Sequence, residues 1–123
     1  MSDTFLDQVE KIYQQDSRYK PESYEFVMQA LFFTQKQLNR KGHVSAQELL
    51  DGIKEFALEQ FGPMSHTVLE HWGIKSTDDL GNIVFNMVQN GLLRKTENDN
   101  LEDFKGVYDL KHEFDRGYRR NLE

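Results

Sequence analysis

Few residues in this 123-residue chain are spaced for chemistry. His66, Glu70 and His71 come closest to a metal helix. His66 and Glu70 share a helical face, whereas His71, five positions after His66, points elsewhere. The two histidines therefore miss the i, i+4 spacing of the HExxH zinc helix. The run Glu97-Asn98-Asp99-Asn100-Leu101-Glu102-Asp103 has carboxylates enough for calcium, but it lacks the central glycine of an EF-hand loop. Leu101 also stands where a ligand would be needed. A chain without cysteine has no thiol nucleophile, no Cys-ligated zinc and no disulfide framework. It has neither a GxSxG elbow nor a glycine-rich phosphate loop. The sequence predicts no catalytic residue, no metal site and no cofactor, and the protein is not expected to be an enzyme.

What remains is recognition, and recognition depends on which elements present which faces. The clearest helix start is His43-Val44-Ser45-Ala46-Gln47-Glu48. Ser45 as N-cap and Glu48 three residues on form a capping box, with Val44 and Leu49 placed as a hydrophobic staple. Leu49, Leu50, Ile53, Phe56 and Ala57 follow at helical spacing until Gly62-Pro63 stops the run. Pro63 opens a second helix carrying Val68, Leu69 and Trp72 to Gly73, and Trp72 is expected to be largely buried.

On the N-terminal side, Phe5, Leu6, Val9, Ile12 and Tyr13 make an amphipathic helix within residues 1–15. Pro21 begins a helix to about Leu38 that is apolar on two sides. The N-terminal helix is the expected cover for its Phe26 and Phe33, with a second subunit as the alternative. Asn39-Arg40-Lys41-Gly42 closes it, with glycine as the exit.

On the C-terminal side, Ser76 caps a helix whose stripe is Leu80, Ile83, Val84, Met87 and Val88, stopped by Asn90-Gly91. Leu92 to Thr96 and Gly106 to Leu110 read as two strands around a polar turn. The expected fold is mainly α (α+β), a single domain over 1–110 with its core in 21–110. It is a helical domain with a C-terminal β-hairpin, winged-helix-like, followed by a loosely ordered tail over 111–123.

In such a fold the helix Thr77 to Asn90 would present Asp78, Asn82, Phe85, Asn86 and Gln89. No Lys or Arg occurs between Ser76 and Leu93, and the segment 44–110 has five basic against twelve acidic residues, so phosphate contact is disfavoured. Nucleic acid is therefore the weaker alternative, resting on Arg94, Lys95 and the tail residues Arg116, Arg119 and Arg120. The favoured partner is another protein, with Phe85 as an aromatic anchor unless the N-terminal helix or the tail covers it. No apolar run approaches the roughly 20 residues of a membrane span. No basic stretch precedes a hydrophobic run at the N-terminus, so the expectation is a cytoplasmic protein.

Longer phrases carry a resemblance. They are Arg18-Tyr19-Lys20-Pro21-Glu22-Ser23-Tyr24-Glu25-Phe26-Val27, Gly42-His43-Val44-Ser45-Ala46-Gln47-Glu48-Leu49-Leu50-Asp51-Gly52-Ile53, and Ala57-Leu58-Glu59-Gln60-Phe61-Gly62-Pro63-Met64. Val68-Leu69-Glu70-His71-Trp72-Gly73-Ile74, Gly91-Leu92-Leu93 and Tyr108-Asp109 complete them. Over roughly residues 16–115 the chain resembles the uncharacterised Minf-type family of small bacterial proteins. That resemblance implies a bacterial cytoplasmic protein and carries over no activity or site.

Overall fold

The computed structural model describes the backbone of residues 2–94 and 101–122, with side chains over 4–94 and 101–116. Helix α1 (Ser2–Gln15) leads into α2 (Pro21–Gln37), α3 (Ala46–Phe61), α4 (Ser65–His71), α5 (Thr77–Gln89) and α6 (Leu110–Leu122). Two 3-10 turns, Gly62–Met64 and Leu101–Phe104, join α3 to α4 and precede α6.

The local starts and stops act as their residue types require. The Glu48 amide donates to Ser45 Oγ at 3.1 Å and the Ser45 amide donates to the Glu48 carboxylate at 2.9 Å, closing the capping box. Arg40 adds a 2.7 Å ion pair to the same carboxylate. This pair and the Ser45 amide lower the Glu48 pKa to about 2. The exit from α2 differs from expectation: Asn39, not Gly42, takes the left-handed conformation at φ 51°, a position asparagine tolerates.

The helices pack around one core in which Tyr24, Val27, Leu50, Ile53, Leu69, Leu80, Ile83 and Met87 are fully buried. The tightest crossing is that of α2 and α3. A Cβ on Gly52 would lie 1.7 Å from Thr34 Oγ1, so only glycine admits the Thr34 side chain this close. The buried Thr34 hydroxyl donates to the Ala30 carbonyl at 2.7 Å and so carries no polar penalty. The second apolar side of α2, for which the N-terminal helix is the expected cover, packs on rings from α3 and from the end of α4. Phe26 packs on Phe56, Phe61 and Trp72 at ring-centre distances of 5.5, 5.7 and 5.4 Å, and Phe33 on Phe56 at 5.2 Å. Trp72 joins that cluster as a partly buried residue packed against the core.

The winged-helix expectation is overturned: no strand occurs among the described residues. Leu92 and Leu93, which open the first expected strand, instead take part in ending α5. Gly91 turns at φ 78°, and the amides of Leu92 and Leu93 donate back to the Met87 carbonyl at 2.8 and 3.4 Å. The returning strand is replaced by contacts to the start of α5, where the Gly106 amide donates to Asp78 Oδ1 (2.9 Å) and the Val107 amide to Thr77 Oγ1 (3.0 Å). Those amides have found side-chain acceptors, so no ladder forms. The expected hairpin tip, Glu97 to Asn100, lies outside the described residues.

Where the sequence reading expects a loose tail from Lys111, the chain forms α6. Asp109 caps it, accepting from the His112 amide at 3.2 Å through its carboxylate and from the Glu113 amide at 2.9 Å through its carbonyl. Phe114 is buried, and Glu113 pairs with Lys54 of α3 at 3.1 Å.

Gly52→Ala is expected to cost about 1–3 kcal/mol, because the added methyl must push α2 and α3 apart. A urea midpoint equal to the parent's would show that the helices do not meet there.

Candidate functional site

Two features use the residues expected to face a partner, and they occupy neighbouring faces of α5. The first is a polar seam. The turn after α1 brings Asp16, Arg18 and Tyr19 against α5, anchored by the Lys20 amide donating to the Trp72 carbonyl at 3.0 Å. Gly73, at φ 96°, makes this approach possible, since a Cβ there would lie 2.2 Å from the Arg18 carbonyl. Tyr19 donates its hydroxyl to Asp79 Oδ1 (2.5 Å) and accepts from the Asn82 amide (3.0 Å). Asn86 donates to Asp16 Oδ2 and to the Tyr24 hydroxyl, both at 3.0 Å. Arg18 grips Asp16 through two bonds of 2.9 and 2.7 Å.

The electrostatics follow from this geometry. Hydrogen bonding from Arg18 holds the Asp16 carboxyl well below the usual carboxylate range, and the guanidinium is held more firmly protonated in return. Burial, reinforced by the bond to Asp79, pushes the Tyr19 phenol above its ordinary value. Burial does the same to Tyr24. Phenols raised in this way are poor bases and poor nucleophiles at neutral pH. Among the described residues no buried side-chain polar atom lacks a partner. The seam is fully satisfied and orients α5 as a structural clamp.

The second feature is an apolar cleft of about 640 Å³. Leu31 and Gln35 of α2, Ala46 and Leu49 of α3, and Val84, Phe85, Val88 and Gln89 of α5 form its walls. Leu93, Arg94, Leu101 and Phe104 and the loop Lys41 to Val44 complete the lining. Gly81 and Gln35 shape it. Gly81 lets Phe104 lie against α5, since a Cβ there would meet the Phe104 Cβ at 2.6 Å. Gln35 donates to the Gly42 carbonyl at 3.0 Å, fixing the loop that holds Lys41.

The five residues expected to face a partner are thus divided. Asn82 and Asn86 point into the seam, and Asp78 holds Gly106. Phe85 and Gln89 line the cleft, and Phe85 is 48 % exposed. Val84 and Val88, expected in the buried stripe, are partly exposed on the same wall. Of the alternative basic set, only Arg94 and Arg116 have described side chains. Arg94 stands on the cleft, Arg116 pairs with Glu113 at 3.8 Å, and Lys95 lies outside the described residues. Arg119 and Arg120 belong to α6, with side chains outside those described. Sequence reasoning missed Leu31, Val44 and Leu49 as cleft residues, because their apolar spacing reads equally as core.

No group of three or more His, Asp or Glu stands close enough to hold a metal among the described residues, His66 and Glu70 included. No helix there is long and apolar enough to cross a membrane. No family model, curated protein or solved structure matches the chain.

Tyr19→Phe is expected to cost about 1–2 kcal/mol, since it leaves Asp79 and Asn82 short of a partner. The phenol pKa is raised on folding, so its stabilisation is complete below the unfolded value near 10 and fades as pH rises beyond it. Denaturation midpoints from pH 7 to 11 should therefore fall in the parent and fall less in Tyr19→Phe, where Tyr24 and Tyr108 still titrate. Equal slopes would remove Tyr19 from the account.

Proposed function

We propose that this chain is a binding module without catalytic activity, and that its recognition site is the cleft between α2, α3 and α5. One observation carries the reading: a cleft of about 640 Å³, walled by apolar side chains of three helices, with the half-exposed Phe85 on its wall. That volume is within the range of roughly 300–1,000 Å³ typical of small-ligand pockets, and helix bundles commonly build such sites between facing helices. Among the described residues its lining holds no hydroxyl or thiol nucleophile, and its ionisable side chains are Lys41, His43 and Arg94. Such a lining suits holding a group better than transforming one.

The same cleft could also receive a protein partner. A protein would insert an apolar group beside Phe85, since Asn82 and Asn86 are engaged inside the molecule. A bacterial origin, as the family resemblance implies, and a cytoplasmic setting belong to the same proposal.

N-Phenyl-1-naphthylamine, a neutral apolar dye, tests the cleft independently of any natural ligand. The folded protein is expected to enhance its emission with one-to-one stoichiometry. Phe85→Ser should weaken that binding while lowering stability by less than about 1 kcal/mol, as expected for a half-exposed side chain. Absence of enhancement with the intact protein would sink the reading.

A further inference from the structure

The charge on the cleft runs against the charge of the chain. Acidic residues outnumber basic ones by 21 to 15, yet among the described residues the cleft lining contains Lys41 and Arg94 and no Asp or Glu. Three described carboxylates on the same elements are engaged elsewhere. Glu48 is bound by Arg40 at 2.7 Å and by the Ser45 amide, Asp78 accepts from Gly106, and Glu102 pairs with Lys105 at 3.0 Å. Neither Lys41 nor Arg94 forms an ion pair among the described residues. Lys41 is held on the loop tied by Gln35, and Arg94 follows the turn that ends α5, so both cations stand at the border of an apolar interior.

We infer that the cleft binds a small amphipathic anion, an alkyl or acyl chain ending in a carboxylate, with the chain among Leu31, Val84 and Phe85 and the head against Arg94 and Lys41. The inference rests on the cleft being a binding site and adds the chemistry of its occupant. Burial of methylenes supplies the affinity, and the guanidinium and ammonium select a negative head in a protein whose remaining surface disfavours anions.

Isothermal titration with dodecanoate, dodecanol and dodecyltrimethylammonium, each below its micellar concentration, tests the head group at constant chain length. Dodecanoate is expected to bind one-to-one, about tenfold more tightly than dodecanol, the difference one charge-assisted contact supplies. The cationic amphiphile should bind most weakly. The double variant Lys41→Gln/Arg94→Gln, altered only at the cleft edge, should bring dodecanoate down to the affinity of dodecanol. Val84→Trp, which fills the cleft, should abolish both, with circular dichroism confirming the fold. Equal binding of dodecanoate and dodecanol would overturn the anionic head and leave the cleft reading standing. Failure of all three amphiphiles where the neutral dye still binds would overturn the inference alone. So would a synthetic Leu/Glu amphipathic peptide that binds the cleft while dodecanoate does not, which would place the anion on a protein partner.

Discussion

The missing side chain at Gly52 sets the distance between α2 and α3, and most of the molecule is built on that distance. With Thr34 seated against bare backbone, the two helices approach closely and hold the aromatic group of Phe26, Phe33 and Phe56 on one side. Leu31 and Leu49, each about one turn from the contact, both line the cleft. Thr34 satisfies its hydroxyl within its own helix, so the crossing carries no unpaired polar group.

Helix α5 is oriented by a different kind of contact. Asp79, Asn82 and Asn86 recur at three- and four-residue steps and all meet the turn after α1 or the start of α2. Once that face is clamped, the 100° advance per residue carries Val84, Phe85 and Val88 around to the cleft. The seam therefore also decides which side chains the cleft receives. A helix read as one recognition face serves as two: a polar side that fixes its rotation and an apolar side left open.

The same economy appears at the ends of α5. Thr77 and Asp78, in its first turn, hold the backbone of Val107 and Gly106, while Leu92 and Leu93 fold back on Met87. These contacts bring Leu93, Arg94, Leu101 and Phe104 into the lining of the cleft. They also explain why a segment with strand-like composition forms no sheet. Its amides are used by α5, and a ladder would have had to displace them.

What the sequence alone determined is whatever rests on partners within a few residues. The capping box of Ser45 and Glu48, the stop at Gly62-Pro63 and the stripe of Leu80, Ile83 and Met87 are local: hydrogen bonds across three or four positions and one apolar face per helix. Asp109 belongs with them, as an N-cap before Leu110, Phe114 and their turn of helix, and was obscured by the strand-like run Val107-Tyr108. Only the tertiary structure decided that Asn82 and Asn86 turn inward, that Phe26 is covered by Phe56, Phe61 and Trp72, and that Phe85 borders a cleft. Those outcomes depend on residues far apart in sequence being placed by helix crossings. Residue type states what a side chain can bond or bury, whereas the partner it meets is chosen by how closely, and at what rotation, the helices pack.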